Sequence, residues 1–351
     1  MVIQLECKTV IGYFSKMEIK NTNYSSSSDS VEKKKKPKRK KEMEKKNYKK
    51  SKKAKKESNK ENKNYDVSSP FDSRIVFGRY CLELIRKLGQ GSFSKVYLVY
   101  DYTMKKYCVL KCSSFVDPKS KNQLKQEHTV LKMMRHVKGV PKTYGYYASK
   151  NYRYILQDHV TGCDMFDYRV VMGISFSEKE IFLLFKSLHT ILGSMHSFGI
   201  VHHDIKLENV MINPMDLSVT LIDFGFSEIV GKENDLSGSK SGSLEYMAPE
   251  KLRYCHYLDG NFYSGKKSDI YSMAIVLWAI AYKCFPFTSD EATLRAKSKH
   301  DYPPSISENV KNLHSDLLFS FLCSILTLHP LKRPSLEEML EHEWVTSMSI
   351  E

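Results

Sequence analysis

The sequence lacks the features that mark secreted, zinc-binding and membrane-spanning proteins. Its eight cysteines are scattered and form no Cys-x-x-Cys pair, so we expect reduced intracellular thiols and no structural zinc site. The longest apolar run, residues 273–282, is too short to cross a bilayer. The N-terminus shows no basic start before a long apolar segment, and Val2 takes the place of the glycine that myristoylation needs, so we expect neither a signal peptide nor an N-myristoyl group.

Acidic residues are scarce relative to basic ones, and the imbalance is local. The whole chain of 351 residues has a formal net charge of +15. Residues 1–70 contain 21 Lys or Arg and 9 Asp or Glu, a net of +12, so the remaining 281 residues carry only +3 (15 minus 12). This Lys- and Ser-rich tail has few apolar side chains to offset the cost of ordering its backbone, and we predict that it is disordered.

The densest basic cluster in the tail is KKKKPKRKK at residues 33–41. Such a run is typical of a nuclear-import signal read by an import receptor, of a nonspecific contact with a polyanion, or of a solvated tail with no partner. Tyr48 and Tyr65 stand too far apart to form a base-stacking surface. We therefore expect an intracellular protein, nuclear or cytoplasmic, with the nucleus favoured by this cluster.

Residues 200–226 concentrate the chemistry of the chain. Two apolar runs, residues 210–212 and 219–222, predict short strands joined by a turn near Pro214. Such a hairpin would bring the segment before residue 210 close to the segment after residue 222. Asp204 can then accept a proton, Lys206 can hold a phosphoryl oxygen, and Asn209 with Asp223 can bind a divalent cation through hard oxygen ligands.

A second glycine-rich stretch lies upstream. Residues 79–100 alternate apolar and polar side chains on both sides of the loop GQGSFSKV, which predicts a strand, a tight loop and a strand. Glycines let a backbone approach phosphate oxygens closely. A Rossmann unit would continue into a helix, whereas residues 96–100 have strand character.

Taken together, these motifs resemble the eukaryotic protein kinase family, serine/threonine type. The sequence His202-His203-Asp204-Ile205-Lys206-Leu207-Glu208-Asn209 is similar to the family's H-R-D-L-K-x-x-N, Asp223-Phe224-Gly225 matches D-F-G, and residues 107–111, YCVLK, are similar to V-A-I-K. The serine/threonine type is indicated by residues 205–209, IKLEN, and by Ser243. The resemblance spans about residues 76–346.

The resemblance implies an α+β fold with two lobes, preceded by the disordered basic tail of residues 1–70. The N-lobe, about residues 76–158, would be small and β-rich with one helix, and the C-lobe, about residues 164–346, larger and mainly helical. A buried helix at 269–281, a helix at 177–198 opened by a Ser177–Glu180 capping box, and a last helix at 336–342 are predicted from apolar spacing and caps. The catalytic domain is expected to be monomeric.

The resemblance also implies the site and its cofactors, ATP and Mg²⁺. The catalytic residues would be Asp204 and Lys206, and the magnesium ligands Asn209 and Asp223. Lys111 would pair with Glu127, while Gln157 would stand at the back of the adenine pocket. The residues expected to bind the nucleotide are Gly89, Gln90, Gly91, Ser92, Phe93, Ser94, Lys95, Val96, Lys111, Glu127, Asp158, Val160, Asp164 and Met211.

Three positions depart from the family pattern. Ser94 replaces the third glycine of the loop, Val109 replaces the small alanine above the adenine, and His203 replaces the arginine of H-R-D. Arginine offers a permanently charged, two-pronged donor to an activation-loop phosphate, and histidine does not. Three modes of control therefore stay open: a phosphate on Ser237, Ser239 or Ser241, of which Ser239 is nearest the usual site, constitutive activity, or control by a partner. A nucleotide-binding pseudokinase scaffold stays open as the alternative to an enzyme.

Two features of the C-lobe complete the expectations. Glu250 of the segment GSLEYMAPE would be buried against Arg333. Residues 253–265, RYCHYLDGNFYSG, exceed the length expected for the family between Glu250 and Asp269, and we predict a surface loop near the substrate site.

Overall fold

The computed structural model describes residues 74–349 except 92–93, 115–117, 150, 232–234, 258–261, 288–303 and 305. All of them belong to one compact unit, residues 69–351. The strands are β1 Arg74–Phe77, β2 Tyr80–Gln90, β3 Lys95–Asp101, β4 Lys106–Ser114, β5 Thr143–Ala148, β6 Tyr152–Asp158, β7 Cys163–Asp164, β8 Ile200–Val201, β9 Val210–Ile212, β10 Val219–Leu221, β11 Glu228–Ile229, β12 Leu236–Ser237 and β13 Tyr263–Ser264. The helices are α1 Pro118–Met133, α2 Glu178–Ser197, α3 Pro249–Tyr257, α4 Gly265–Tyr282, α5 Glu308–Lys311, α6 Asp316–Ile325, α7 Leu336–Met339 and α8 Glu343–Met348.

The N-lobe is an antiparallel sheet in the order β1-β2-β3-β4-β6-β5, accompanied by α1. Alternating apolar side chains of β2, β3, β4 and β6 form its core, as the period of the sequence predicts. The apolar spacing of the sequence predicts this helix over residues 120–136, with Leu124, Val130, Leu131 and Met134 on one face. The helix begins two residues and ends three residues earlier than predicted, and all four of these side chains are buried.

The C-lobe is mainly helical and is organised around α2 and α4. Ser177 and Glu180 form the predicted capping box of α2, and Gly199 follows the helix with φ +70°, a conformation that favours glycine. Helix α4 is buried on nearly all sides. The two-lobed α+β architecture predicted from the sequence is thus confirmed.

Two predictions about the C-lobe are wrong in part. The surplus segment is no simple surface loop, because residues 253–257 extend helix α3 and residues 263–264 form strand β13, whose Tyr263 is buried. The last helix does not run from 336 to 342. It breaks after Met339, since His342 caps a separate helix, α8, by accepting a hydrogen bond from the Trp344 backbone.

Other predictions fall partly or wholly outside the described residues. The basic tail, its cluster at 33–41 and loop residues Ser92 and Phe93 lie there. The seven described cysteines are free thiols. Within the part of the chain that the structure covers, no helix is long and apolar enough to cross a membrane.

Candidate active site

The predicted hairpin forms and brings its flanks together. Strands β9 and β10 pair antiparallel, with Val219 opposite Ile212 and Leu221 opposite Val210. The amide of Ile222 donates to the carbonyl of Asn209 at 2.8 Å. This bond joins the end of one flank to the start of the other, so that the side chains of residues 204–209 and of Asp223 approach from two directions.

The loop before β9 is held by hydrogen bonds around Asp204. The side-chain nitrogen of Asn209 donates to the backbone carbonyl of Asp204 at 2.8 Å and to Asp204 Oδ2 at 3.2 Å. Lys206 Nζ lies 2.9 Å from the same carboxylate. Ser243 Oγ donates to Asp204 Oδ1 at 2.8 Å and accepts from Lys206 at 3.0 Å. Asp204 is thereby fixed in one orientation, with a lysine beside it.

The backbone of this loop is anchored by one buried carboxylate. Asp269, near the start of α4, accepts the amide of His202 at 2.7 Å and that of His203 at 2.9 Å. Burial opposes ionisation of Asp269, but the bond from His196 and the other nearby histidines lower the pKa of Asp269 to about 2. The fixed charge stabilises His203 in its left-handed conformation, φ +69°, a strained state for a residue with a side chain.

Lys111 joins the two lobes at this point. Its ammonium on β4 lies 2.5 Å from Glu127 on α1 and 2.9 Å from Asp223. Burial disfavours the ammonium, yet the two carboxylates outweigh it and raise the pKa of Lys111. Lys111 in turn lowers the pKa of Asp223 to about 2. The sequence-predicted pairing of Lys111 with Glu127 is confirmed, and Asp223 is an additional partner.

The residues after Asp223 pack inward. Asp223 has a left-handed backbone, φ +63°, and Phe224 is buried with its ring 4.9 Å from that of His202. A Cβ on Gly225 would lie 3.3 Å from Asp223 Oδ1, so the glycine lets the chain turn close to the carboxylate. Gln126 of α1 donates to the Ser227 carbonyl at 2.7 Å, which holds the helix against this segment.

The donors at this site fit a magnesium ion. The side-chain nitrogen of Asn209 donates to Asp204, so the side-chain carbonyl oxygen of Asn209 is the hard oxygen that can face a cation. The Asp223 side chain is half exposed, and Lys111 contacts its Oδ1. Among the described residues no cluster of three or more His, Cys, Asp or Glu side chains could hold a metal. Mg²⁺ needs no such cluster, because it retains waters and takes phosphate oxygens around one or two protein ligands.

Most of the predicted nucleotide-binding residues lie on the adjoining strands. Gly89 and Gln90 end β2, Lys95 and Val96 begin β3, and the Gly91 amide donates to the Ser94 carbonyl at 2.9 Å to close the loop. Strand β7, with Asp164, pairs with β9 so that Asp164 stands opposite Met211. Asp164 Oδ1 accepts the amide of Asp167 at 2.8 Å.

Side chains on neighbouring strands hold Asp158, the last residue of β6, where the chain enters the linker between the lobes. Asp158 accepts from Lys106 at 2.9 Å and from the hydroxyl of Tyr144, and its amide donates to the Lys142 carbonyl. Asp158, Val160 and Met211 line a cavity of about 240 Å³. Gln157 is buried beside Val109 in the neighbouring strand, and its Oε1 has no partner among the described residues.

His203 occupies an enclosed network instead of facing solvent. Its side chain is 0% exposed. Nε2 lies 3.0 Å from Glu228 Oε2, and Nδ1 lies 3.3 Å from Lys251 Nζ. The contacts are satisfied when Nε2 carries the hydrogen and donates to Glu228, while Nδ1 accepts from Lys251. His203 therefore has no nitrogen directed at solvent.

Several contributors to the site escape sequence reasoning. The sequence identifies Ser243 through its motif and Asp269 as the start of a buried helix, but not their bonds to residues 202–206. Nothing in the sequence singles out Glu228 or Tyr263. For Lys251 the one available signal is that it follows Glu250, which is expected to be buried. Burial lowers the pKa of this lysine.

Comparison with known proteins agrees with this geometry. Residues 82–345 match the family model described as protein kinase domain. A probable myosin light chain kinase of Dictyostelium discoideum is 33% identical over 277 residues, which cover 75% of this chain and 82% of that protein. The serine/threonine-protein kinase cds1 of Schizosaccharomyces pombe is 28% identical, and the carbon catabolite-derepressing protein kinase of Candida glabrata is 30% identical. The matches cover 76% and 79% of this chain but only 59% and 43% of those two proteins.

Proposed function

The chain belongs to the protein kinase family and is a serine/threonine protein kinase, and we propose that residues 204–209, Lys111 and Asp223 carry out its phosphoryl transfer. The transferred group is the γ-phosphoryl of Mg-ATP, and the acceptor is a serine or threonine hydroxyl of a protein substrate. The oxygen–phosphorus bond to ADP breaks as the bond to the acceptor oxygen forms, and the hydroxyl proton leaves to a base.

Asp204 is the proposed base. Its carboxylate is held by Ser243, Asn209 and Lys206, so it can orient an incoming hydroxyl without first reorganising. Lys206, bound to the same carboxylate, is placed to stabilise negative charge on the transferring group. Positioning and electrostatic stabilisation would supply most of the rate enhancement, as expected for this reaction class.

Lys111 is the proposed orienting residue for the α- and β-phosphates. Its bond to Glu127 keeps the ammonium at the cleft, and the amides of the loop at residues 89–96 would contact the phosphates from above. Asn209 and Asp223 would hold Mg²⁺, which neutralises developing charge between the phosphates. Asp158, Val160, Asp164 and Met211 would contact the nucleoside.

The observation that carries this proposal is the bridge of Lys111 to both Glu127 and Asp223. A kinase is competent only when the lysine–glutamate pair and the metal-binding aspartate are in place together. Here one ammonium contacts both carboxylates, within 2.5 Å and 2.9 Å. A pseudokinase scaffold has no need of this arrangement.

The test is phosphoryl transfer from Mg-ATP to a generic basic protein, followed by identification of the phosphorylated amino acid. We expect phosphoserine or phosphothreonine, and a loss of about 10³-fold or more in kcat for Asp204→Asn. Asp216→Asn, at an exposed aspartate in the β9–β10 turn, is the matched control and should retain activity. Transfer by the wild-type chain no faster than by Asp204→Asn would refute the proposal.

The proposed substrate preference is for a basic residue before the target. Glu208 is exposed in the same loop as Asp204, and burial together with the charges of Asp167 and Glu208 raises the pKa of Asp164. A basic side chain on the substrate would relieve this repulsion between acids. A peptide library should therefore select lysine or arginine there, and Glu208→Gln should weaken that selection while leaving basal transfer to neutral peptides measurable.

The tail is proposed to serve localisation and not catalysis. Residues 33–41 have the composition of an import signal, which favours a nuclear protein and an import receptor as partner. Polyanion contact is the competing role. A reporter carrying residues 1–70 should enter the nucleus, whereas a reporter that stays cytoplasmic would exclude the import role.

A further inference from the structure

The segment between α3 and α4 adds a strand to the activation segment, the stretch from Asp223 to Glu250. Strand β13 pairs antiparallel with β12, with Leu236 opposite Ser264 and Ser237 opposite Tyr263. The Gly265 amide donates to the Asp235 carbonyl at 2.9 Å, and the Ser264 hydroxyl donates to the Asp235 carboxylate. This ribbon fixes the middle of the activation segment to the start of α4.

Tyr263 extends this attachment toward the catalytic loop. The residue is 5% exposed. Its hydroxyl donates to the Ser239 carbonyl at 2.7 Å and lies 3.4 Å from Nδ1 of His203. Lys251 lies 5.9 Å from the ring centre and also donates to the His203 carbonyl at 3.0 Å. One tyrosine therefore contacts both the activation segment and the loop that carries Asp204.

On the opposite side of the β12–β13 ribbon, the carboxylate of Glu228 accepts hydrogen bonds from other side chains of the protein. Glu228 accepts from Ser237 Oγ at 2.5 Å and from His203 Nε2 at 3.0 Å. Ser237 is fully buried, and its Oγ also accepts the Ser239 amide at 3.0 Å. These bonds link Glu228, Ser237, His203 and Ser239 entirely through groups of the polypeptide, with no phosphate required among them.

Ser239 is connected to the proposed base through the next four residues of the chain. The Ser241 amide donates to Ser239 Oγ at 3.3 Å, and two residues later Ser243 bonds to Asp204 and Lys206. Gly242, at φ +129°, packs so closely that a Cβ there would lie 2.5 Å from the His203 carbonyl. A shift at Ser239 would thus be transmitted to Ser243, the partner of Asp204.

We infer that Tyr263 is a positioning residue for phosphoryl transfer: through the Ser239 carbonyl it fixes the activation segment, and with it Ser243, without phosphorylation of residues 237–241. The inference rests on the proposed function of Asp204 and adds Tyr263 as the residue that positions the groups around Asp204. Tyr263 touches neither the proposed base nor the phosphates, so its effect is on substrate seating.

The test compares Tyr263→Phe with Tyr254→Phe in the full chain. Both variants lose one hydroxyl from neighbouring rings, whose centres lie 5.7 Å apart. The Tyr254 hydroxyl has no hydrogen-bond partner among the described residues, whereas that of Tyr263 holds Ser239. Each protein is treated with a broad-specificity protein phosphatase, and KM for peptide, KM for ATP, kcat and melting temperature are measured.

We expect wild type and Tyr254→Phe to keep their activity after phosphatase treatment. Tyr263→Phe should raise KM for peptide about 5-fold, the effect of one lost hydrogen bond, and leave KM for ATP unchanged. A merely structural role would instead lower the active fraction and leave both KM values unaltered. The more drastic Tyr263→Ala should raise KM for peptide further, provided that ATP binding shows it to be folded.

Three results would overturn the inference. They are loss of wild-type activity after phosphate removal, equal KM values for peptide in the two phenylalanine variants, and a Tyr263→Phe effect confined to stability. Failure of the proposed function has a different signature, because wild type and Asp204→Asn would then transfer phosphate equally. The two failures are therefore separable in one set of measurements.

Discussion

Lys111 shows how a single ammonium can serve both lobes. It contacts carboxylates from α1 and from the segment after β10, so its removal leaves two acids facing each other. We expect Lys111→Met to lower kcat/KM by about 10²-fold or more, since it deletes a preorganised cation from the proposed phosphate-binding site. Steady-state kinetics with Mg-ATP and peptide measure this effect.

The control for Lys111→Met is Lys132→Met, which removes an exposed ammonium from the last turn of α1. This variant should remain within about 2-fold of wild type, as expected for a surface charge. Equal losses in the two variants would mean that general charge, and not the Lys111 contacts, governs activity.

Asp223 should give the protein a measurable acid dependence. Lys111 lowers its pKa from 3.8 to about 2, so the charged form is favoured in the folded state. A depressed carboxyl pKa stabilises the fold fully above the unfolded value of 3.8, and this contribution is lost as pH falls toward 2. Because the side chain is half exposed, solvent screening reduces the energy involved.

We therefore expect the melting-temperature difference between wild type and Asp223→Asn to be constant above about pH 5 and to shrink between about pH 4 and 2. Thermal unfolding across this range measures the difference. Asp316→Asn, which removes a carboxylate paired with Lys311 on the surface, is the control. A difference that grows as pH falls would contradict the assigned sign.

At the scale of elements, local sequence patterns predict that a helix or strand forms better than they predict where it begins and ends. The capping box of α2 is local in sequence, and both of its bonds form as predicted. The break between α7 and α8 depends on His342 capping the next helix, which apolar spacing does not reveal. Strand β13 exists because β12 pairs with it across about 26 residues of sequence, so its strand character comes from tertiary contact and not from local pattern.

The same distinction holds for the site. The family resemblance predicts the Lys111–Glu127 and Glu250–Arg333 contacts, because Lys111 and Glu250 lie in the recognisable segments YCVLK and GSLEYMAPE and the resemblance supplies their partners. Tyr263 has no such neighbours in sequence. Its contact with Ser239 follows from the β12–β13 register, which becomes visible only in three dimensions.

The Arg333–Glu250 pair connects three elements of the C-lobe. Arg333 donates to Glu250 at 2.8 and 3.1 Å, to the Lys267 carbonyl at 2.6 Å and to the Thr327 carbonyl at 3.2 Å. Both side chains are buried, at 0% and 8% exposure. Arg333→Met should therefore cost about 3–5 kcal/mol of unfolding free energy, because it leaves a buried carboxylate uncompensated.

Chemical denaturation of Arg333→Met, Glu250→Gln and the double variant measures the coupling. The double variant should lose less than the sum of the two single losses, as expected for residues in contact. Lys332→Met, one residue away and exposed, should change stability by less than about 0.5 kcal/mol. Strict additivity of the two single losses would show that the pair is not coupled.

At the scale of the whole molecule, charge and catalysis are assigned to different parts of the chain. The residues of the proposed site, from Gly89 to Ser243, belong to the unit that begins at residue 69. The first 70 residues carry a net of +12, and the remainder only +3. A polyanion should therefore meet the tail first, through an attraction that weakens as salt is added.

Deleting residues 1–70 provides the corresponding prediction. The remaining chain should transfer phosphate within about 2-fold of the full chain, because no proposed contact to nucleotide or substrate is removed. It should also elute from a heparin column at a lower salt concentration, since the released counterions scale with the basic residues engaged.

Replacing the basic residues of 33–41 by glutamine in the full chain separates this cluster from the rest of the tail. If the glutamine variant elutes with the deletion, the cluster is the polyanion contact. If the deletion abolishes transfer while its melting temperature is unchanged, the tail takes part in catalysis and the separation of the two functions is wrong.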